Sequence, residues 1–558
     1  MNVRPRIYTN IFLLVLPVLL ASCGPKRESV LFPVLGSNQT LFGLSREAVE
    51  GRLDFSSPRK LEYAFASSPL VSPPASIEIA YSLDNPDRLT LPRTIVEVGG
   101  NSWVLPGGSS ANDVFHYAIP VSDPVPLQFS ITLESTDSNL GSGNPVPSLQ
   151  IRSIELKGCW LGIYRLRDAV GDNLYISPFV YRRSDPAWVI NLGEAMAAGL
   201  LGIPAGFYPA VSADMLQGDE VTLDDGYRRF TVSPRLERLY IPPPMVAPDA
   251  ETLVLSGNRT GLFHVGFGQV PIFPSPIAAD PGMVLAWPVE RWRDSRYEVF
   301  RWDRFPSLLI FDTADYAIQD RMLKRLAFFV EKVGFRGRLA SDSEIAALHG
   351  WNAHDYRAED LARFFQIARE VNFPLLAEER ELERILLDAS IIHESGGSIR
   401  AGEGGIISLS RESDEYLRRR FIAHEGFHGL FFIDGNFRDF SYNRWQQLAA
   451  EPKRFILSYF GFQQYDTTDE YLVVNEFMAH VLQQSVSQAD HYFGVLLPSR
   501  LEDSDRRHWD LPQKDQRTGS WPVLSSAFTR EVQAFSHYVD GRWGLVAGRV
   551  GLVTVSQP

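Results

Sequence analysis

Two histidines and a glutamate in the segment FIAHEGFHGLFF, residues 421–432, have the types and spacing of a metal site. His424 and His428 are four residues apart, so on a helix both imidazoles project from one face and reach a single tetrahedral Zn²⁺. Glu425 follows the first histidine and points to the side, where a carboxylate can take a proton from a metal-activated water. The alternative is a pair of core histidines that other protein groups satisfy.

The segment that carries these residues has the pattern of a buried helix. Ser413 is a suitable N-cap, and Asp414 and Glu415 follow it in the first turn, where the helix dipole favours anions. Leu417 and Phe421 precede the two histidines on one helical face, so the imidazoles continue an apolar stripe. Polar rings on an inward-facing stripe need a partner, and a shared metal is an efficient one.

A zinc site of this kind needs a third protein ligand, and a second helical segment offers Glu476. This glutamate lies with Leu472 and Ala479 on an apolar stripe of residues 467–484. A carboxylate there is costly unless a cation or a metal pairs with it, which favours Glu476 as the ligand. The alternative is an ordinary helix glutamate in a salt bridge.

Two other histidines compete for the third position. His480 lies one turn after Glu476, and is also a candidate for positioning the site or donating a hydrogen bond to a transition state. His393, in IIHESGG, is a weaker rival that precedes the motif on a strand-like segment. A polar contact in a loop is the alternative explanation for His393.

HEGFH followed by NEFMAH on a second helix resembles the gluzincin group of zinc metallopeptidases. The resemblance covers about 80 of the 558 residues and does not identify a subfamily. It implies that His424, His428 and Glu476 bind Zn²⁺ and that Glu425 is the general base. It also implies a peptide or protein substrate.

In such enzymes an extended substrate lies against an edge strand, and the segment GGIISLS, residues 404–410, is similar to that strand. Backbone pairing at an edge gives affinity with little side-chain selectivity. The gap between the motif and the third ligand is longer than in the thermolysin pattern. The oxyanion stabiliser is therefore left open among Tyr465, Tyr471, His480 and His491.

The N-terminus, MNVRPRIYTNIFLLVLPVLLASCGPKRES, has the features of an export signal. Two arginines precede an apolar run over residues 11–20, which is too short to anchor a chain across a bilayer. The run ends in Leu-Ala-Ser-Cys, which resembles the lipobox of bacterial lipoproteins and implies acylation at Cys23. Gly24 rather than aspartate then favours the outer membrane or cell surface. The alternative is an ordinary secretory signal with a chance cysteine.

Composition and charge narrow the classes of function. The chain has 45% hydrophobic and 22% charged residues, as in soluble globular proteins. A net charge of −13 argues against a nucleic-acid binder, which would carry a basic surface.

With Cys23 acylated, Cys159 has no partner for a disulfide, so we expect it to be buried as a small hydrophobic residue.

The pattern along the chain predicts a multidomain α+β protein. Short alternating runs separated by Pro, Gly, Asn and Ser indicate an N-terminal jelly-roll-like β-sandwich and a β-rich middle region. After Pro306 the apolar spacing becomes helical, which predicts an α-rich, zincin-like domain with a small sheet. The predicted segments are a signal peptide 1–22, a tether 23–40, the sandwich 41–165, the middle region 166–305 and the metallopeptidase domain 306–558.

Three functions are compatible with these features. The first is a membrane-anchored zinc peptidase. The second is a surface lipoprotein that binds a glycan or protein ligand through its sandwich and carries an inactive peptidase-like domain. The third is metal-dependent hydrolysis of a non-peptide bond by the same ligands.

Tryptophans at 188, 287, 292 and 302 suit a sugar-stacking surface, although aromatic core packing is the stronger expectation.

Overall fold

The computed structural model describes residues 27–557 with internal gaps. The gaps are 36–39, 57–59, 68–74, 85–92, 106–113, 122–124, 134–145, 159–160, 168–171, 178, 185–186, 198–206, 216–219, 248, 258–261, 272–275, 351 and 505–510. The predicted signal peptide, Cys23 and Cys159 lie outside the described residues. The chain divides into two compact units, Met1–Cys159 with Ala169–Asp172, and Trp160–Asp168 with Asn173–Pro558.

The first unit is built from two sheets. The strands of one, in spatial order, are Glu28–Ser29, Leu41–Gly43, Lys60–Phe65, Gln128–Leu133, Thr94–Val98 and Asn101–Val104. Those of the other are Val34–Leu35, Ser148–Gly158, Ala75–Asp84 and Val114–Val121, with Arg52–Asp54 also paired to Ser148–Gly158. A short helix, Arg46–Glu50, precedes Arg52–Asp54. Segments of the predicted tether thus contribute a strand to each sheet.

The second unit begins with antiparallel sheets. One run of neighbouring strands is Leu161–Arg167, Leu262–Pro271, Phe207–Met215 and Arg238–Ile241. A six-stranded sheet follows the order Val180–Ser184, Ala187–Asn191, Thr252–Gly257, Val221–Asp224, Arg229–Val232 and Val553–Ser556. Asp172–Ile176 is a further strand, and Leu192–Ala197 is a short helix. The last strand of the sequence therefore pairs with a strand more than 300 residues earlier.

A five-stranded sheet supports the C-terminal helices. Its order is Ile277–Ala279, Tyr297–Trp302, Leu308–Thr313, Gly405–Ser410 and His354–Arg357. The first two strands lie before residue 306, where the sequence analysis places the metallopeptidase domain's start. The expectation for residues 404–410 was wrong, because Gly405–Ser410 lies between two other strands and cannot be an edge. The edge strand is His354–Arg357, which we call the edge strand below.

The C-terminal part is rich in helices, which confirms the predicted α+β class. The helices are Pro281–Leu285, Tyr316–Val330, Asp342–Ile345, Ala358–Glu370, Ala377–Asp388, Glu415–Ile433, Gly435–Gln447, Ala450–Phe462, Glu470–Leu482, Val486–His491, Leu497–Glu502 and Pro522–Trp543, with a π-helical turn at Tyr492–Leu496. A two-stranded hairpin, Ile392–Ser395 with Ser398–Ala401, completes the unit. Among the residues described, no helix combines the length and apolar character needed to cross a bilayer.

Two faces of the five-stranded sheet are covered by different helices. Leu309, Phe311 and Ile406 belong to a buried cluster. The same cluster includes side chains of three helices, Tyr316–Val330, Ala358–Glu370 and Ala377–Asp388, for example Leu326, Phe365 and Leu386. Successive strand residues alternate between faces, so the neighbouring side chains point the other way. Leu308 points to the opposite face and contacts the helix Glu415–Ile433, which we call the motif helix.

The motif helix lies very close to its neighbours at two glycines. A Cβ at Gly429 would come within 2.9 Å of the Leu308 side chain. A Cβ at Gly426 would come within 2.9 Å of Val550. These two positions therefore let the helix that carries the histidines pack tightly on the sheet and on the C-terminal segment.

Acidic residues cap both site helices, and the cap of the motif helix lies one residue after the expected position. Asp414, not Ser413, is the N-cap of the motif helix, and its carboxylate accepts the Leu417 backbone N–H. The Ser413 hydroxyl instead lies 2.7 Å from the Tyr316 hydroxyl. Asp469 caps Glu470–Leu482, which we call the glutamate helix. Either acidic cap satisfies free N–H groups and complements the dipole.

Candidate metal centre

The motif helix and the glutamate helix bring three side chains of the predicted site together. The Nε2 atoms of His424 and His428 are 3.1 Å apart. The Glu476 carboxylate lies 3.6 Å from His424 Nε2 and 3.7 Å from His428 Nε2. The donor atoms of the three residues all fall within 4.8 Å of one another, which is the arrangement that a tetrahedral metal requires.

The Glu476 carboxylate is incompletely satisfied by the protein. Its side chain is 4% exposed, and the Tyr465 hydroxyl donates a hydrogen bond to it. Within the described part of the chain, its Oε2 atom has no hydrogen-bond partner. A buried carboxylate oxygen without a donor is costly. The donor set of two imidazoles and this carboxylate fits Zn²⁺, which accepts nitrogen and oxygen ligands in this number.

Both imidazoles are held in the neutral state that metal binding requires. Burial, reinforced by the nearby Arg420 charge, lowers the pKa of His424 to about 3. Burial also lowers the pKa of His428 to about 4, although the Glu476 carboxylate opposes this effect. A neutral imidazole keeps a free lone pair on one nitrogen, so neither ring must lose a proton to bind a cation near neutral pH.

Glu425 is paired with a carboxyl group from the edge strand. Burial and the neighbouring Asp355 and Glu476 carboxylates raise the pKa of Glu425. Burial and Glu476 likewise raise the pKa of Asp355, and the two carboxyl groups share a hydrogen bond. Asp355 Oδ2 also lies 3.7 Å from His428 Nδ1. Asp355 therefore lies beside both the predicted base and one predicted ligand, and its hydrogen bond is to the base.

His480 lies next to the three converging side chains. Its Nε2 atom is 3.9 Å from Glu476 Oε2, and its ring packs edge-on against His424 with centroids 5.1 Å apart. Its Nδ1 atom is 2.8 Å from the Gln483 amide nitrogen and 3.4 Å from the Tyr492 hydroxyl. Glu476 is closer than His480 to the imidazole pair, so the geometry favours the glutamate as third ligand and leaves His480 beside it.

The four candidates for oxyanion stabilisation separate into two groups. Tyr465 and His480 line the cavity above the predicted ligands. Tyr471 instead lies under the Arg357 guanidinium, 4.3 Å from ring centroid to cation. His491 is exposed at the end of Val486–His491. Of the four candidates, Tyr465 and His480 therefore line the cavity, and the Tyr465 hydroxyl already donates its proton to Glu476.

His393 is not part of this cluster. It lies on the exposed side of the hairpin Ile392–Ser395, paired across to Arg400. The expected polar contact thus describes His393 better than a metal-ligand role.

The tryptophans also follow the packing expectation in two cases, because Trp287 and Trp302 are only 1% and 0% exposed.

A cavity of about 400 Å³ opens over the converging side chains. It is lined by Glu331, His349, Asn352, Ala353, Asp355, Leu417, Arg420, Phe421, His424, Glu425, Tyr459, Gln463, Tyr465, His480, Gln483, Tyr492 and Arg500. Its volume falls in the range of small-molecule and peptide-binding clefts. The edge strand contributes Asp355 to its wall, so an extended chain in the cavity would run beside this strand.

Several lining residues were not found from the sequence. Asp355 lies in GWNAHDYRAED, residues 350–360, whose density of polar and aromatic groups was the only available signal. Arg500, Tyr459 and Tyr492 come from helices outside the motif, and nothing in their local sequence marks them. Their place in the cavity depends on how distant helices pack.

No family model, no curated protein and no solved structure matches this chain. The geometry of the cluster and the chemistry of its residues are therefore the basis for a functional assignment.

Proposed function

We propose that this protein is a zinc-dependent peptidase of the gluzincin type. The observation that carries the proposal is the convergence of His424, His428 and Glu476 from two separate helices, with one Glu476 oxygen left without a partner in the described structure. Glu425 and Asp355 adjoin this cluster in a cavity open to a substrate. This combination supports hydrolysis rather than a purely structural histidine pair.

His424, His428 and Glu476 would hold the zinc ion, and a fourth position facing the cavity would stay open. Bound zinc lowers the pKa of a water molecule and polarises a peptide carbonyl. The protein's contribution is to keep both imidazoles neutral and to present one carboxylate from the opposite helix. The tight packing at Gly426 and Gly429 fixes the position of the motif helix for this purpose.

Glu425 would act as the general base and then as the acid. Its carboxylate takes a proton from the attacking water and later gives a proton to the leaving amine. The neighbouring Asp355 fixes the Glu425 carboxyl group through their shared hydrogen bond. Burial raises the pKa of Glu425, which makes it a stronger base than an exposed glutamate.

The substrate would bind as an extended strand beside the edge strand. The sheet neighbour Gly405–Ser410 occupies one side of His354–Arg357, and no strand of the described residues lies on the other side, so a substrate strand could be added there. His480 would donate a hydrogen bond from Nε2 to the oxygen on which negative charge develops, because its Nδ1 already faces the Gln483 amide. The single hydroxyl proton of Tyr465 goes to Glu476.

The N-terminal sequence adds a location to this proposal. Cleavage before Cys23 and acylation of its thiol would anchor the peptidase to a bacterial membrane, at the outer membrane or cell surface. Replacement Cys23→Ser should move the protein from the membrane fraction to the soluble fraction and remove the lipid mass. A membrane-bound, unlipidated Cys23→Ser protein would contradict the anchor.

The test of the mechanism is Glu425→Gln in the full-length, zinc-loaded protein. We expect turnover of a casein or peptide mixture to fall by a factor of at least about 100, because the proton-transfer group is lost. Zinc content should stay equimolar, because Glu425 is not a ligand. Glu415→Gln, on the same helix but exposed, is the matched control and should keep full activity. Undiminished turnover in Glu425→Gln would refute the mechanism.

A further inference from the structure

One end of the cavity is basic. Arg420 and Arg500 both line it, Arg420 from the motif helix one turn before His424 and Arg500 from Leu497–Glu502. Arg420 bonds Gln483, whose amide nitrogen is 2.8 Å from His480 Nδ1. Arg500 bonds Tyr459, whose ring packs edge-on against the His480 ring with centroids 5.6 Å apart. The two arginines therefore lie on the His480 side of the predicted zinc ligands.

Neutral partners hold both guanidinium groups. Arg420 Nε donates to Gln483 Oε1 at 3.1 Å, and its guanidinium carbon lies 4.5 Å from the centre of the Tyr492 ring. Arg500 Nη1 donates to the Tyr459 hydroxyl at 3.4 Å. Gln483 and Tyr492 are themselves 7% and 2% exposed, so buried groups hold Arg420, whereas Arg500 itself is exposed. The arginines are oriented without being neutralised.

The neighbouring arginines behave differently. Arg418 binds the buried Asp312 carboxylate, and Arg419 binds Glu415. For Arg420 and Arg500, by contrast, no carboxylate of the described residues forms an ion pair. Two cations that converge in a partly enclosed cleft, without an anion of their own, create a strong attraction for a negatively charged ligand.

Two acidic residues, Glu331 and Asp355, also line the cavity. Asp355 shares a hydrogen bond with Glu425 beside the predicted zinc ligands, whereas the two arginines bond Gln483 and Tyr459. A ligand with an anionic end would therefore be drawn to the arginines.

We propose that Arg420 and Arg500 form a subsite that binds a carboxylate of the peptide substrate close to the bond that is cut. The inference rests on the proposed peptidase function and names its substrate class. Guanidinium groups bind carboxylates in two-point geometry, which gives both strength and orientation.

The position of the subsite limits where that carboxylate lies in the peptide. One helical turn separates Arg420 from His424, or about 5.4 Å, and an extended peptide advances about 3.3 Å per residue. The carboxylate should therefore lie within about three residues of the scissile bond. Its source is either the C-terminal α-carboxylate or an Asp or Glu side chain.

Three octapeptide libraries distinguish these sources. The first has free C-termini and no acidic residues, the second has amidated C-termini with Asp and Glu included, and the third is amidated and lacks acidic residues. Initial cleavage rates are measured by mass spectrometry with the full-length zinc-loaded protein. We expect at least about tenfold faster cleavage of one carboxylate-containing library than of the neutral one, as charge-assisted hydrogen bonds provide.

Single replacements of the two arginines test the assignment. Arg420→Gln and Arg500→Gln should each reduce the preference, taken as the ratio of the two cleavage rates within one variant, to less than about threefold. Zinc content and urea unfolding report correct folding of each variant. Arg419→Gln removes the same charge from the same helix outside the cavity, and should leave the preference unchanged.

Binding of the same libraries to the Glu425→Gln protein separates this inference from the proposed function. Carboxylate-dependent binding without cleavage by the unmodified protein would support the subsite and refute the peptidase. Equal cleavage of all three libraries would support the peptidase and overturn the subsite. Equal loss of all cleavage in both arginine variants would also overturn it, and absence of both cleavage and carboxylate-dependent binding would overturn both.

Discussion

Two buried polar clusters involve the motif helix, and they solve the same problem in different ways. In the first, Arg418 and Arg411 both bind the Asp312 carboxylate, at 2.7 Å and 2.6 Å. Arg411 also donates to the Trp287 carbonyl. In the second, less than two turns further along the helix, His424 and its neighbours face a carboxylate with a partnerless oxygen.

The difference shows how to separate a structural cluster from one that binds an external ligand. Both clusters bury a carboxylate at the junction of the motif helix with another element. Asp312 receives two cations from the protein, whereas Glu476 receives two neutral imidazoles. A buried carboxylate that faces neutral imidazoles, with one oxygen that has no hydrogen-bond partner among the described residues, is an arrangement that a cation from outside can complete.

Removing the carboxylate from the first cluster should have the largest effect on stability. Asp312→Ala leaves two guanidinium groups buried without their anion, and should reduce the free energy of unfolding by about 3–5 kcal/mol. Urea unfolding of the full-length, metal-free protein measures it. Asp388→Ala, in an exposed pair with Arg384, is the control and should change stability by less than about 1 kcal/mol. If Asp312→Ala and Asp388→Ala lost similar amounts of unfolding free energy, the buried ion pair would contribute no more to stability than the exposed one.

Zinc should stabilise the second cluster as the arginines stabilise the first. At a free zinc concentration 100 times the dissociation constant, the unfolding free energy should rise by about 2.7 kcal/mol. Glu476→Ala should abolish this gain and leave the metal-free protein nearly as stable as before. Calorimetry with and without zinc checks both results. A metal-free Glu476→Ala protein as unstable as Asp312→Ala would show that the two clusters are alike.

A third buried carboxylate, Asp280, is held by backbone amides. It extends the comparison because its contribution to the free energy of unfolding depends on pH. Its oxygens accept N–H groups of Leu552, Val553 and Gly282. Burial and the nearby Asp303 raise its pKa to about 7, so the native state binds its proton more tightly than the unfolded chain does. Its contribution to stability is therefore largest at low pH and is lost as pH rises towards 7.

The comparison with Asp280→Asn isolates this contribution. Between pH 5 and pH 8, the unfolding free energy of the unmodified protein should fall by about 2 kcal/mol relative to that of the variant. Urea titrations at both pH values provide the measurement. If the unfolding free energy of the unmodified protein relative to that of Asp280→Asn stayed constant or increased with pH, the backbone amides rather than burial would set the charge of Asp280.

The smallest expected effect concerns the residue that links the edge strand to the site. Asp355→Asn keeps the shape but replaces the charged partner of Glu425 and the neighbour of His428. We expect a loss of at least about tenfold in zinc affinity or kcat, equal to about 1.4 kcal/mol, as for other groups that orient ligands. Competition with a chelator and steady-state kinetics measure the two quantities. An unchanged protein would assign Asp355 to the fold alone.

Local patterns predicted the helices of the site but not its surroundings. The spacing of His424 and His428 and the apolar stripe around Glu476 are properties of single helices, so they can be read from nearby residues. Strand order depends on pairing between segments far apart, and the assignment of residues 404–410 as an edge was wrong for this reason. Asp355 was missed because only that order places it beside Glu425.

The basic end of the cavity illustrates the same limit. Arg420 and Arg500 are 80 positions apart, and they converge because Leu497–Glu502 packs near the motif helix. No short-range pattern connects them. The α+β class, by contrast, follows from the change in hydrophobic period after Pro306, because each period reflects the local backbone conformation.

The C-terminal strand Val553–Ser556 has a consequence for the order of events during synthesis. It fills the edge of a sheet beside Arg229–Val232, and Val550 just before it packs on Gly426 between the two histidines. Because residues 426 and 550 are far apart in the sequence, these contacts can form only after residue 556 has left the ribosome.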